Sequence, residues 1–574
     1  MNRNLIILTL FAVAFASSVY AQDDKVKFSA VGRALEQNSK LNATDTINAH
    51  RNNAGHALID LGININPDKK TEILAVMRLR SDLSGFFGAG NTAFLRWLSI
   101  KGIIGKGIAY QVGDIHLKLS PYTLFNNYAE GSVNEAAIFS NLRRDYSYYE
   151  NFNKGNYWWQ QGAHTNFTFA FKSPVMEKIR IDAFVLRNRA ANSIFGGPTA
   201  LHAGGRMEIS QSRFLNLTAN YINLYEVGAT TSSDSSARNP VGSIELNSKL
   251  VDNAGLGINL FGETGFSQLN FDKYPSKPTN AKGTFFDGGL GATLKSIGLS
   301  IKGSYRYVSA DFYSSGAQSK RVNFNNNPAL FRTYGDNPFA PNTRGITIFD
   351  LVRDPNIYNT HISYQLQAYD PRLANTMPYG KATPNRKGLV LETVWKDSLE
   401  KAHLHVTGAL LSEVNPINST NFRKFTFMRA ALDLNVHQWI GFKKRIILNG
   451  GMQYEHTTRS GTSSESVDLK SILVDAGAEI EIFKKLDVLY GMKMLNSKGN
   501  EYLTVRNNFN AISSVPTPFI TNGIQNMMAF GLKYRFSPNS YLTLQDHIFN
   551  YKDKSNDSLN YSINQVVMMF FLNY

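Results

Sequence analysis

The chain has 574 residues, a formal net charge of +16 and no cysteine. Without thiols it has no disulfides, no thiolate-bound zinc or iron–sulfur centre, and no cysteine that could carry a lipid. No run of about eighteen apolar residues occurs, which excludes a bundle of membrane-spanning helices. The mean hydropathy of −0.25 suits a soluble protein, but it also suits a sheet that shows apolar residues to lipid only at alternate positions.

The N-terminus has the pattern of a cleaved export signal. Arg3 supplies a positive charge, residues 5–16 form an apolar run, and residues 19–21 provide the small or branched residues expected before a cleavage site. The apolar run is too short to cross a bilayer comfortably as a helix. We therefore predict that residues 1–21 are a signal peptide and that the mature chain starts at Gln22.

Alternation of apolar and polar residues recurs from one end of the mature chain to the other. Clear examples are residues 297–307, 428–437, 486–494 and 528–536, where successive side chains would point to opposite faces of a strand. The pattern is typical of antiparallel sheets. By itself it does not distinguish a sandwich from a barrel that turns its apolar face to lipid.

Short and long connections between the predicted strands alternate without exception. The short ones lie near 66–70, 102–106, 173–177, 211–213, 252–254, 295–296, 397–401, 440–444, 484–485 and 537–539. The long, polar ones lie near 36–56, 83–92, 119–163, 190–201, 226–241, 265–283, 309–387, 414–424, 458–468, 498–523 and 552–561. Ten short and eleven long connections imply 22 strands, within a range of about 16 to 24.

The last strand carries the most informative pattern. Counted back from the C-terminus, every second residue is apolar and the final one is aromatic: Val566, Met568, Phe570, Leu572 and Tyr574. This ending resembles the barrel-assembly signal of Gram-negative outer-membrane β-barrel proteins, the porin-like superfamily. The resemblance implies an all-β transmembrane antiparallel barrel over residues 22–574, located in the cell outer membrane. It also implies periplasmic termini, short periplasmic turns, and contact with outer-membrane lipid and the barrel-assembly machinery.

Two of the long connections are large enough to be insertions, near 119–163 and 309–387. Loops longer than about 15 residues are usually functional or disordered. The first strand is predicted to begin near Val26, which leaves no room for the N-terminal plug domain of TonB-dependent transporters. We therefore consider two alternatives: one or both insertions fold inward as a constriction or plug, or both remain external loops. The aromatic stretch Tyr157-Trp158-Trp159 could stack on sugars, but an interfacial girdle or packing against the wall explains it as well.

Many charged residues fall on the polar faces of the predicted strands, where they would line the lumen. Lumen charge tunes ion selectivity, so a basic lining predicts weak anion selectivity. The alternative is that acidic residues on neighbouring strands neutralise these charges. The candidate lining cations are Arg78, Arg80, Lys118, Arg180, Arg206, Lys302, Arg306, Arg429, Lys533 and Arg535.

Few residues suggest catalysis. His403 and His405 lie two residues apart on one strand, as do Asp114 and His116, and such pairs can bind a metal or act as a base. No third partner can be placed, so we interpret both pairs as polar lumen residues. The Ser-x-x-Lys spacing of residues 398–401 falls in a predicted turn rather than at a helix start. We predict no enzymatic activity, no catalytic or metal site and no cofactor.

The function favoured by these patterns is a porin-like channel or passive transporter for hydrophilic solutes, gated by the insertion at 309–387. The alternative is a non-conducting outer-membrane barrel whose loops bind a surface partner, glycans or a secretion apparatus. An outer-membrane hydrolase is a third hypothesis, disfavoured because no catalytic triad can be assembled. The basic charge does not indicate nucleic acid as a partner, because no basic–aromatic binding module occurs.

Overall fold

The computed structural model describes residues 25–43, 51–68, 70–83, 90–105, 107–125, 130–152, 158–173, 175–189, 199–211, 214–227, 236–271, 281–325, 344–363, 365–507 and 510–574. The predicted signal peptide, residues 1–21, lies outside these ranges.

Twenty-two strands occur in the described residues, and together they form one antiparallel sheet. Each strand pairs with the next, and β1 also pairs with β22, so the sheet closes into a barrel and has no free edge. The predicted fold class and strand number are therefore confirmed. The strands are β1 Val26–Ala43, β2 Arg51–Asp68, β3 Thr71–Asp82, β4 Asn91–Ile104, β5 Ile108–Ile115, β6 Gln160–Ala170, β7 Lys178–Arg189, β8 Thr199–Ser210, β9 Leu215–Val227, β10 Ala237–Asp252, β11 Leu256–Phe271, β12 Ala281–Leu294, β13 Leu299–Val308, β14 Arg386–Lys396, β15 Ala402–Ser412, β16 Lys424–Asn435, β17 Ile446–Arg459, β18 Val467–Phe483, β19 Leu486–Leu503, β20 Thr517–Ser537, β21 Ser540–Asp553 and β22 Tyr561–Asn573.

Short helices lie mostly in the two longest connections. Between β5 and β6 these are α1 Ala137–Leu142, a π-helical segment Arg143–Tyr148 and α2 Tyr149–Phe152. Between β13 and β14 these are α3 Ser315–Gln318, α4 Ile348–Arg353 and the 3₁₀ turns Pro355–Ile357 and Gly380–Ala382. Outside these connections lie α5 Val436–Trp439 and the 3₁₀ turn Asp557–Leu559. In the described part of the chain, no helix is both long and apolar enough to span a membrane.

The two ends of the barrel differ in the length of their connections. All ten connections predicted to be short lie at one end, and the eleven long ones lie at the other. The start of β1 and the C-terminal Tyr574 lie at the short-turn end, where the N–H of Ala30 donates to the C=O of Tyr574 at 3.0 Å and that of Asn66 to the C=O of Lys25 at 2.6 Å.

Some predicted strand limits were wrong. β16 ends at Asn435, and Val436 and His437 belong to α5 instead of continuing the strand. β13 starts at Leu299, because Gly298 has a φ of +66° that closes the preceding turn. β1 and β2 each extend over 18 residues, so residues 36–43 and 51–56 of the predicted connection belong to these strands. The ends of these strands are polar, so the sequence pattern predicted a connection there. The strands continue nevertheless, because a strand extends wherever its backbone is paired.

The two faces of the wall are distinguished by exposure. In β22, Val566 and Met568 are 47% and 50% exposed, whereas Val567 and Met569 are fully buried. The same alternation in the other strands leaves a band of exposed apolar side chains on the outer face, as contact with lipid requires.

The largest apolar core lies inside the barrel, between the wall and the two long connections. Inward-facing residues such as Leu35, Leu489, Met527, Phe549 and Met569 are almost completely buried in it. The inner face is therefore not uniformly polar: around β1 and β19–β22 it is apolar and packs against chain inside the lumen.

Candidate functional site in the barrel lumen

The connection between β5 and β6, which we call the first insertion (residues 116–159), crosses the lumen. Its described residues bond to three separate sectors of the wall, which only a segment inside the barrel can do. The three hydrogen bonds run from Tyr149 to Asp60 on β2 (2.5 Å), from Tyr122 to Asp287 on β12 (2.9 Å) and from the N–H of Val133 to Asp475 on β18 (2.6 Å).

Helix α1 and the residue before it pack against two glycines of the barrel wall. Gly477 on β18 and Gly491 on β19 are direct cross-strand partners on the inward face. A Cβ placed on Gly477 would lie 2.3 Å from the Cβ of Ala136, and one on Gly491 would lie 2.5 Å from the Cγ2 of Ile138. The absence of side chains therefore allows the helix to approach the wall closely, in the half of the barrel nearer the short turns.

A buried ionic network fixes α2 to β1–β4. Arg78 donates to Asp60 at 2.6 Å and to Glu150 at 2.6 Å, and Arg33 donates to Glu150 as well. Arg96 donates to the C=O of Tyr149, and burial raises the pKa of the Tyr149 hydroxyl above its ordinary value. Because these charges are buried, they depend on one another for compensation, and removing one carboxylate would leave arginines unpaired.

A second buried anchor lies beneath α1. Lys493 on β19 has a fully buried side chain and pairs with Asp475 on β18 at 2.6 Å and with Glu135 of the first insertion at 2.8 Å. Arg143 binds the same Glu135 at 2.8 Å. The wall therefore supplies one cation and the insertion another, with the carboxylate of Glu135 between them.

The connection between β13 and β14, the second insertion (residues 309–385), packs against β20 and β21. The N–H of Ile348 donates to Gln525 on β20 at 2.9 Å, and the rings of Phe349 and Phe549 are 5.1 Å apart. At the start of α4, burial would raise the pKa of Asp350, but the charge and hydrogen bonds of Arg344 outweigh burial and lower it. The helix is therefore held by apolar packing on one side and by a buried ion pair on the other.

Further along the second insertion, a turn binds carboxylates on β17 and β19. The N–H groups of Asn375 and Thr376 each donate to one oxygen of Glu455 at 2.7 Å. The side chain of Asn375 donates to Glu501 at 3.0 Å. These bonds use inward-facing carboxylates of the wall to hold a backbone turn, so the second insertion is also fixed inside the barrel.

The two insertions bind each other as well as the wall. Ser147 donates to the C=O of Val352 at 2.9 Å, and Asn151 donates to the C=O of Pro355 at 2.8 Å. Lys320 of the second insertion forms an ion pair of 2.8 Å with Glu130 of the first insertion. We refer to the described residues of both insertions, 116–125, 130–152, 158–159, 309–325, 344–363 and 365–385, as the plug.

The plug does not cover the inner wall evenly. Inward-facing polar side chains in the short-turn half of β7–β8 and β13–β16 remain exposed: those of Arg180 and His403 are 43% and 47% exposed. By contrast, Asp475 on β18 and Lys493 on β19 are fully buried. The lumen therefore contains an accessible polar sector beside the sector that the plug occupies.

One cavity lies at the short-turn end of the wall, and another lies beside the plug. One of about 370 Å³ lies at the short-turn end and is lined by residues of β2–β6, among them Glu72, Lys101 and His164. Another, of about 340 Å³, lies between the plug and β6–β7 and is lined by residues that include Glu150 and Asn188. Both volumes are in the range of sites for small solutes.

Seven of the ten predicted lining cations form ion pairs. Their partners are Asp60 and Glu150 for Arg78, Asp82 for Arg80, Asp182 for Arg180, Glu208 for Arg206, Asp287 for Arg306, Glu479 for Lys533, and Glu481 and Asp487 for Arg535. Lys118 follows β5 and lies 4.3 Å from the ring centre of Phe125. Arg429 donates to the C=O of Val133 at 2.9 Å, and Lys302 is exposed on β13.

The pairs considered for chemistry do not form a common site. His403 faces Asp433 at 3.8 Å and His405 faces Glu392 at 3.2 Å, each across a different strand pair. Asp114 accepts hydrogen bonds from Trp159 and Gln161 at 2.7 and 2.9 Å, whereas the ring of His116 lies against that of Trp97 at 4.5 Å. Burial lowers the pKa of His116 to about 4. The residues 398–401 lie in the turn between β14 and β15.

The plug contacts were not predictable from motifs. Gly477 and Gly491 were visible only as small residues within strands, and a glycine inside a strand does indicate close approach of another backbone. The buried residues Asp60, Glu135 and Glu150 had no distinguishing pattern, because their partners are distant in the sequence.

No protein-family model and no curated protein matches the chain. The chain is similar in structure to OccK11 (OpdR) of Pseudomonas aeruginosa, with 9% identity, 96% of both chains covered and a TM-score of 0.36. It is also similar to a BenF-like porin of Pseudomonas fluorescens Pf-5 (8% identity, 96% and 99% covered, TM-score 0.34) and to the P pilus usher (PapC) translocation pore (7%, 95% and 99%, 0.35). Likenesses of this degree carry no argument about function, and the barrel rests on the strand pairing described above.

Proposed function

We propose that the protein is a porin-like outer-membrane channel for hydrophilic solutes, narrowed by its internal plug. The observation that carries the proposal is the division of the lumen into a plugged sector and an accessible polar sector. A 22-stranded barrel is wide enough to leave a large aqueous hole unless something fills it. Here the plug fills part of it, and the exposed charges of β7–β8 and β13–β16 provide the hydrophilic surface that a solute would follow.

The location in the cell outer membrane is part of the same proposal. The closed barrel with an exposed apolar outer band supports it, since each described strand is paired with both of its neighbours and lipid can contact the outside. We place the termini and short turns in the periplasm. The C-terminal residues Val566, Met568, Phe570, Leu572 and Tyr574 would be read by the barrel-assembly machinery, and residues 1–21 would direct export.

For selectivity, the ion pairs support the alternative of mutual neutralisation. A paired cation contributes little field along the lumen, and the charges that would bias ion flow are those such as Lys302, which has no ion partner among the described residues. We therefore propose that any anion preference is weak. The reversal potential of the open channel under a salt gradient tests this: a potential close to zero is expected, and strong anion selectivity would refute it.

The experiment that tests conduction is a planar-bilayer recording of the refolded full-length protein. Stable current steps that scale with bulk salt conductivity are expected. A folded, correctly inserted barrel without any steps would favour the second candidate, a non-conducting barrel whose loops bind a partner. That candidate is supported by the large apolar core, which holds the plug firmly inside the lumen.

A further inference from the structure

A further cavity, of about 450 Å³, lies at the long-loop end of the barrel. The second insertion forms one side of it, and the long-loop ends of β14–β16, β19 and β20 form the other, together with the connection after β19. Exposed residues such as Val505 and Thr517 are part of its lining, so the cavity reaches the protein surface there. Its size is that of a site for a small solute, and its lining decides which solute would bind.

Three arginines and two glutamates line this cavity, and four of these five charges neutralise one another. Arg423 pairs with Glu413 at 2.8 Å and with Glu501 at 3.0 Å. Arg386 lies beside this cluster and balances its remaining negative charge. Its own nitrogens donate to backbone carbonyls, among them that of Thr376 at 2.8 Å. These side chains therefore build the wall of the cavity and leave no net charge for a solute.

The fifth charge is that of Arg506, which lies in the connection after β19. In the part of the chain that the structure describes, no carboxylate lies within 4.0 Å of its guanidinium, and only Nη1 donates a hydrogen bond, to the C=O of Asn510 at 2.7 Å. The neighbouring Asp311 is exposed to solvent, which screens its charge. The Nε and Nη2 donors of Arg506 therefore remain available to a solute.

A hydroxyl donor lies close to Arg506. Tyr369 of the second insertion lines the same cavity, and its hydroxyl makes no hydrogen bond to any described residue. Burial raises the pKa of Tyr369 to about 12, so the hydroxyl stays protonated at neutral pH and can donate. The side chains of Asn325, Thr504 and Thr517 add polar groups to the lining, which suit a solute that carries hydroxyls better than an apolar one.

We infer that this cavity binds a hydroxylated organic anion, whose acid group is held by Arg506 and Tyr369. A guanidinium presents its donors in a fork that matches a carboxylate, and charge-assisted hydrogen bonds are stronger than neutral ones. The inference rests on the proposed channel function, for which it names the class of solute that enters at the long-loop end. A local site of this kind retains an organic anion without making the whole lumen anion-selective, so it agrees with a reversal potential close to zero.

The test is a calorimetric titration of sodium glucuronate and, separately, of glucose into the folded full-length protein in detergent at constant ionic strength. The two sugars share a ring and differ in the acid group. We expect saturable binding of glucuronate and about 10- to 100-fold weaker binding of glucose, which lacks the charged hydrogen bonds. Arg506→Gln should bind both sugars equally weakly, and Arg506→Lys should keep part of the preference. Tyr369→Phe should weaken glucuronate binding about fivefold.

The matched control is Arg51→Gln, which removes an exposed arginine at the long-loop end of β2, outside the cavity lining. This variant should bind glucuronate like the wild type. Equal affinity of the wild type for the two sugars, no binding of glucuronate, or unchanged binding in Arg506→Gln would each overturn the site. If Arg506→Gln does not fold, unchanged binding in Tyr369→Phe overturns it instead.

Because the titration needs no current, the site and the channel can fail separately. A folded barrel that binds glucuronate but carries no current would refute the channel and leave the site. A conducting barrel that does not bind glucuronate would refute the site and leave the channel.

Discussion

The seat of α1 on the wall gives a prediction that can be worked out from distances. Gly477→Ala would place a methyl group 2.3 Å from the Cβ of Ala136 and 2.9 Å from its Cα, so no flexible side chain can move aside. Overpacking of this kind costs about 1–3 kcal/mol. If the cost falls on docking, the ratio of docked to undocked insertion should drop about 5- to 150-fold.

Limited trypsin digestion of the folded protein is a direct assay, because Arg143 follows α1 and is buried when the insertion is docked. Gly477→Ala should accelerate cleavage there by a similar factor. Ala136→Gly should restore part of the protection, since it removes the methyl group that collides. Gly408→Ala is the matched control, because nothing lies within 4 Å of a Cβ placed on Gly408. Equal cleavage rates in Gly477→Ala and wild type would refute the docking geometry.

Three further predictions concern the network, pH and the strand register. Asp60→Asn leaves Arg78 without its paired carboxylate on β2, and breaking a buried pair costs about 3–5 kcal/mol. Trypsin should then cut the first insertion faster than in the wild type. Unchanged protection would contradict the buried ionic network between α2 and β1–β4. Burial lowers the pKa of His116 to about 4, so its contribution to stability is complete above about pH 6.5 and is lost as the pH falls toward 4. Urea titrations at several pH values should show the free energy of unfolding falling over this range in the wild type, and falling less in His116→Gln. An identical pH dependence of the two proteins would be evidence against burial of His116. Met569→Ala should cost about 2–5 kcal/mol and Met568→Ala clearly less, because only Met569 packs inside; equal losses would mean a wrong register.

The wall was predictable because its rules are local. Alternation with a period of two, turn residues and the pattern from Val566 to Tyr574 each depend on neighbouring residues, and together they led to 22 paired strands. The errors at Asn435 and Leu299 were small, since strand ends are fixed by partners across the sheet as well as by local sequence.

The interior was not predictable for the opposite reason. Whether the long connections fold inward depends on contacts such as Tyr149 with Asp60 and Glu135 with Lys493, which join residues far apart in the chain. A charge on the polar face of a strand looks the same in the sequence whether it faces water, as Lys302 does, or a buried carboxylate, as Arg78 does. The expected basic lumen lining was therefore drawn from charges that the structure places largely in pairs.

The central claim is that the plug narrows a barrel that would otherwise be wide. The measurement that tests it most directly is single-channel conductance of the wild type beside a variant in which residues 137–152 are replaced by a short flexible linker, recorded at the same salt concentration after both are shown to be folded. We expect substantially larger current steps in the variant, because α1, the π-helical segment and α2 no longer occupy the lumen. Equal conductance of the two folded barrels would contradict the claim.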